Sequence, residues 1–136
     1  LTYLDKALQI EPNNSAVLAH KGSALLHLDK YDEALTYLDK ALQLDPNNWI
    51  ALTCRAMTLK DLGRYDELVT WYDRMLHLMP KDLDTLIDKG VALVRSGRYD
   101  EAIVWYDKVL QLYPNNQLVL SYKQRALEKQ KTAKSE

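Results

Sequence analysis

The sequence predicts an all-α protein built as a stack of repeated helix pairs. Three ladders predict it, all with a 34-residue step. The prolines stand at Pro12, Pro46, Pro80 and Pro114 and nowhere else. Tyr31, Tyr65 and Tyr99 each open a Tyr-Asp-Glu triplet, and Asp5, Asp39, Asp73 and Asp107 keep the same interval. A period of this length marks identical supersecondary units, each burying its apolar side against its neighbours.

Residues 1–14 read as the second helix of an incomplete repeat. The chain opens on Leu1, in the middle of a repeat, and is expected to be part of a longer protein. Repeats then span 15–48, 49–82 and 83–116. Each holds two helical stretches. In the third, Leu86, Gly90, Leu93 and Val94 recur at helical spacing before Ser96-Gly97 breaks the run. The pattern resumes through Ala102, Ile103, Tyr106, Val109 and Leu110, and Pro114 stops it. Apolar positions three and four apart mark one buried helix face.

The helix ends are also written in the chain. Asn14, Asn48, Asp82 and Asn116 precede the first helices, where a side-chain oxygen can accept from a free first-turn amide, worth about 1 kcal/mol each. Gly63 and Gly97 suit the left-handed residue that ends a helix. Asp29 stands at that place in the first complete repeat and is expected to fit less easily. The acids of each Tyr-Asp-Glu triplet fall at the start of a second helix, where the macrodipole favours them. Residues 117–136 carry five basic residues (Lys123, Arg125, Lys129, Lys131, Lys134) against Glu128 and Glu136. They read as a polar capping helix that frays over its last six residues.

These units resemble tetratricopeptide repeats over essentially the whole chain. Gly22 and Gly90 match that family's Gly place, Ala34 and Ala102 its Ala place, and Leu38, Tyr72 and Tyr106 its aromatic place, followed by the Pro ladder. The repeated Tyr-Asp-Lys-Ala-Leu wording is similar to members common in archaea and bacteria. Where the family usually carries Leu before the Gly, this chain has Lys21, Arg55, Lys89 and Lys123. Each follows one of the Asp ladder by 16 residues. A charge beside a tight helix contact is costly to leave unpaired. We therefore expect an Asp–Lys/Arg pair at each junction between a second helix and the next first helix.

The resemblance implies a right-handed superhelix whose first helices line a concave, peptide-binding groove. Its groove positions fall on Ala19, His20, Ser23 and His27; on Thr53, Cys54, Met57, Lys60 and Asp61; on Ile87, Asp88, Val91 and Arg95; and on Ser121, Tyr122 and Arg125. Leu26, Ile50 and Leu118, at further groove places, are expected to be half-buried core. Chaperone adaptors of the family clamp a C-terminal carboxylate with Lys, Asn and Arg. The corresponding places here hold Ala19, Ser23, Cys54, Asp84 and Asp88, and two acids would repel that ligand.

Composition narrows the function. A net charge of −1 gives no global field toward nucleic acid or anionic lipid, so neither nucleic acid nor membrane is an expected partner. A single Cys54 allows no internal disulfide and points to a reducing, cytoplasmic setting. His20, His27 and Cys54 fall short of a zinc ligand set, and neither metal nor other cofactor is expected. Glycine-loop, His-Glu zinc and nucleophile-elbow motifs are missing, so the chain does not read as an enzyme. The leading expectation is a scaffold that binds a peptide or amphipathic helix of another protein. Self-association through the terminal helices, or service as an accessory arm of a larger enzyme, are the alternatives.

Overall fold

The computed structural model describes residues 2–135. Among these residues eight helices follow one another: α1 (Thr2–Ile10), α2 (Ser15–His27), α3 (Tyr31–Leu44), α4 (Trp49–Asp61), α5 (Tyr65–Leu78), α6 (Leu83–Arg95), α7 (Tyr99–Leu112) and α8 (Gln117–Ser135). No strand occurs among the described residues. The chain divides into two compact bodies, with the change falling between Gly63 and Arg64.

Local signals set the helix starts. Asn14 accepts from the Val17 amide and Asn48 from the Ala51 amide, both at 3.1 Å. Asp82 accepts from Thr85 at 3.2 Å, and Asn116 from Val119 at 3.0 Å. Each cap removes one of the orphan donors at a helix start. Asn48 does more: its amide nitrogen donates to the Ser15 hydroxyl at 2.8 Å, and that hydroxyl donates to the Ala41 carbonyl at 3.0 Å. The starts of α2 and α4 are thereby tied to the end of α3. Asp32-Glu33, Asp66-Glu67 and Asp100-Glu101 occupy the first turns of α3, α5 and α7.

The turns inside the repeats need a left-handed residue. Gly63 and Gly97 adopt φ of 72° and 81°, and Asp29 adopts 59°. Its carboxylate accepts from the Tyr31 hydroxyl at 3.2 Å, which offsets part of the strain a Cβ brings there. Asp29→Gly is expected to stabilise the first body by about 1 kcal/mol. Urea denaturation checks this, and a destabilised variant would show that the Tyr31 bond outweighs the strain.

In the first body α2 packs on α1, α3 and α4, and α3 on α4. In the second, α6 packs on α5 and α7, and α7 on α8. Glycine permits the closest approaches. A Cβ at Gly22 would stand 2.6 Å from the Leu38 side chain, and one at Gly90 would overlap the Tyr106 ring. Leu38 and Tyr106 are 0% and 1% exposed, so neither has open space to move into.

All four expected ladder pairs form. Lys21 pairs with Asp5 and Arg55 with Asp39 in the first body. In the second, Lys89 meets Asp73 at 2.5 Å and Lys123 meets Asp107 at 2.6 Å. The hydrogen bond to Asp5 is the main reason the Lys21 ammonium is held above its ordinary pKa. Lys21 and Lys89 have a second neighbour. The Lys21 ammonium lies 4.5 Å from the Tyr37 ring centre, and that of Lys89 3.9 Å from Trp105. A basic side chain thus sits between a carboxylate of the preceding helix and an aromatic face of the following one. Trp105 is fixed by its own indole bond to the Leu86 carbonyl at 2.8 Å. The aspartates are about half exposed, so each pair contributes modestly. Asp73→Asn is expected to cost less than about 1 kcal/mol in urea denaturation; a loss above about 2 kcal/mol would show the pair to be buried in effect.

The last helix, α8, is assigned as helix through Ser135. Gln130 reaches the Asp100 carboxylate on α7. Beyond it, the Thr132 and Ser135 hydroxyls bond to the Glu128 and Thr132 carbonyls.

Candidate functional site

The expected groove residues divide by burial. On α2 and α4, Ala19 is fully buried and Cys54 is 6% exposed. Burial pushes the Cys54 thiol pKa up and outweighs the lowering influence of the neighbouring Ser23 side chain. Cys54 is therefore a protonated, interior group and a poor nucleophile. His20, His27, Met57, Lys60 and Asp61 are exposed, and Ser23 and Thr53 half-buried. The His27 ring nitrogen is occupied by the Ser23 carbonyl at 2.7 Å. Among the described residues no three His, Cys, Asp or Glu gather as a metal would require.

Leu26 is core, as expected, but Ile50 and Leu118 are not: they are 39% and 52% exposed. The following residues, Ala51 and Val119, take the buried face at 0%. One step along a helix turns the side chain by about 100°, which brings Ile50 and Leu118 outward. Ile50 and Met57 are seven residues apart, so they lie on one face of α4 with Thr53 between them. Met57 is 47% exposed. The first body thus offers a short apolar stripe on a first helix.

In the second body Ile87 is 7% exposed and belongs to the interior. Asp88, Arg95, Ser121 and Arg125 are exposed, while Val91 and Tyr122 are half-buried. Four of these residues come together. Val91, Arg95, Tyr122 and Arg125 line a cleft of about 440 Å³. Val94 joins them from α6 and Lys129 from α8. Tyr99 and Tyr106 enter from α7, so a second helix contributes where only first helices were expected. The rings of Tyr106 and Tyr122 stack with centres 6.3 Å apart and planes at 14°. Burial pushes the Tyr106 phenol well above its ordinary pKa, and the neighbouring Tyr122 and Asp88 add to the shift. It stays neutral across the physiological range. Among the residues that line this cleft, no nucleophile is paired with a base.

The repeat geometry has a match. Models described as tetratricopeptide repeat match residues 15–48 and 84–116, 37–68, and 56–87. Together they run without a gap from residue 15 to residue 116. The chain belongs to the tetratricopeptide repeat family. No curated protein matches the sequence. Solved structures of tetratricopeptide domains do. The first such domain of human RPAP3 aligns with a TM-score of 0.73 at 24% identity, over 91% of this chain and 98% of that one. The first such domain of Spaghetti (RPAP3), bound to the HSP90 peptide SRMEEVD, aligns with a TM-score of 0.70 at 25% identity, covering 84% and 90%. MamA from Desulfovibrio magneticus aligns at 0.74 with 20% identity, covering 96% and 84%. Human and bacterial proteins match at similar identity, so the archaeal and bacterial flavour of the sequence gains no support.

Proposed function

We propose that this tetratricopeptide protein is a binding module for another protein. It takes a peptide or an amphipathic helix on the first-helix faces of its repeats. The stripe of Ile50 and Met57 carries the reading: apolar side chains sit in the open on a first helix of a repeat. Such spacing suits the anchors of a partner helix or extended segment. The Spaghetti domain with its bound peptide supports a peptide as the ligand class. The carboxylate-clamp mode is not proposed. Ala19 and Cys54 are interior, and exposed Asp84 and Asp88 stand where cations are needed. The reading is one of binding, not of catalysis. No helix of the described residues is long and apolar enough to cross a membrane.

The test is cross-linked capture of partners by the intact chain and by the Ile50→Glu/Met57→Glu variant. Both positions are exposed, so the variant should keep its circular dichroism while losing its partners. A folded variant that retains every partner would sink the assignment of this face. Self-association is the competing reading, favoured by Tyr3 and Ile10 of α1, which are 83% and 82% exposed. Against it stands exposed Gln124 on α8, where other repeats carry Gly22, Ala56 or Gly90. Sedimentation velocity decides: a monomer at every concentration removes self-association.

A further inference from the structure

The cleft between α6, α7 and α8 has a chemistry of its own. Its floor is apolar and aromatic: Val91, Val94, Tyr106 and Tyr122. Its rim is cationic: Arg95, Arg125 and Lys129. Arg125 and Lys129 are one turn apart on α8 and so project on the same side, while Arg95 stands across from them at the end of α6. Six of the other cations are paired. Lys21, Arg55, Arg64, Lys89, Arg98 and Lys123 each have a carboxylate within salt-bridge distance. Among the described residues Arg95, Arg125 and Lys129 make no such ion pair. Arg125 has only the face of Tyr122, 5.7 Å away.

Of the exposed acids on α6, Asp84 lies toward its other end and Asp88 near its middle, close enough to Tyr106 to act on its phenol. Asp84 and Asp88 occupy its first two turns and Arg95 its last residue, an axial separation of about 16 Å between Asp84 and Arg95. The surface is therefore polar along its length. A ligand with carboxylates is drawn to the Arg95 end and repelled from the Asp84 end, which fixes its direction as well as its place.

We propose that this cleft is the receptor for an internal acidic segment of the partner protein, in which glutamates or aspartates flank an aliphatic side chain. The aliphatic group enters over Val91, Val94 and Tyr122, and the carboxylates meet Arg95, Arg125 and Lys129. Its size lies within the usual range of ligand clefts. This site is distinct from the carboxylate-clamp places, because it uses neither the Asp84 nor the Asp88 position and needs no free chain end. It rests on the binding-module reading and names the partner's chemistry.

The test is calorimetric titration of the intact chain with a short peptide of glutamate and leucine, acetylated and amidated. A lysine-and-leucine peptide serves as its counterpart. The acidic peptide should bind and the basic one should not. Arg95→Glu/Arg125→Glu should lower the affinity about tenfold or more, whereas Lys108→Glu, outside the cleft, should leave it unchanged. Raising salt from about 50 mM to about 500 mM should weaken binding severalfold, as expected for exposed charges. Circular dichroism confirms that the variants fold. No binding of the acidic peptide, or binding that the double variant retains, overturns the proposal. So does binding that requires an unblocked C-terminus, which would indicate a clamp. Concentration-dependent dimerisation abolished by the same double variant would assign the cleft to a second copy of the chain and also overturn it. Failure here with partner capture still lost in Ile50→Glu/Met57→Glu leaves the module reading standing. Capture unaffected by that variant removes the module's face whatever the peptide does.

Discussion

Tyr106→Ala is expected to cost about 3–5 kcal/mol of stability, the range for truncating a large buried aromatic. The ring is 1% exposed, lies beneath Gly90 and stacks on Tyr122. Removing it deletes one of the contacts that join α6 to α7 and a face of the contact between α7 and α8. In a stack of repeats stability is a sum over units and their neighbours. Amide exchange in α6, α7 and α8 should therefore accelerate first. Tyr106→Leu is expected to lose clearly less, because the first repeat carries Leu38 at this place. Urea denaturation measures both. A loss below about 1 kcal/mol for the alanine variant would mean that the site collapses around the gap.

Gly90→Ala is expected to destabilise by about 2 kcal/mol, against the sign that helix propensity alone predicts. In an exposed helix interior, alanine in place of glycine gains about 1 kcal/mol. Here the new Cβ would lie 2.5 Å from Cζ and 2.9 Å from the hydroxyl oxygen of Tyr106, with Cε1 closer still. Overfilling a packed contact costs about 1–3 kcal/mol, and a fully buried ring has little room to yield. The second repeat carries Ala56 at this place, so a methyl is not foreign to the fold; it is foreign to this spacing of α6 and α7. Combining Gly90→Ala with Tyr106→Ala should be less damaging than the sum of the two, because the clash disappears with the ring. Additive losses, or a stabilised Gly90→Ala, would show that α6 and α7 part freely.

These two residues also show what could be read beforehand. Gly90 and Tyr106 keep their places in a 34-residue pattern, and so do the caps Asn14, Asn48, Asp82 and Asn116. Such residues answer to a local need, a free amide or a close helix contact, which recurs in each unit. The Asp and Lys/Arg ladders were legible for the same reason. Their aromatic neighbours were not: Tyr37 and Trp105 stand at one place of the 34-residue repeat, but their position over Lys21 and Lys89 depends on packing between helices.

The groove was legible only in part. Buried residues surround much of α2, with Leu18, Ala19, Gly22, Leu25 and Leu26 all interior. A helix packed on more than one side has no single apolar face for periodicity to reveal. Position within the repeat therefore could not tell interior Ala19, Cys54 and Ile87 from open Met57. Ile50 and Leu118 failed for a related reason, a rotation of one residue at a helix start. The cleft drew in Tyr99 and Tyr106 of a second helix, which no rule about first-helix positions would select, whereas Lys129 continues the place of His27, Asp61 and Arg95 by the 34-residue step. What could have pointed to it is the run of basic residues on α8 without acidic partners at the repeat interval.

One measurement bears most directly on the claim that the ligand surface lies where the residues depart from the repeat pattern. Amide NMR spectra of the labelled chain, recorded during titration with the blocked glutamate-and-leucine peptide, locate the contact residue by residue. Shifts should concentrate at Val91, Arg95, Tyr122, Arg125 and Lys129 and leave the ladder residues Asp73 and Asp107 unmoved. Shifts centred on second-helix surfaces such as Thr70 and Lys108, or none at saturating peptide, would contradict it.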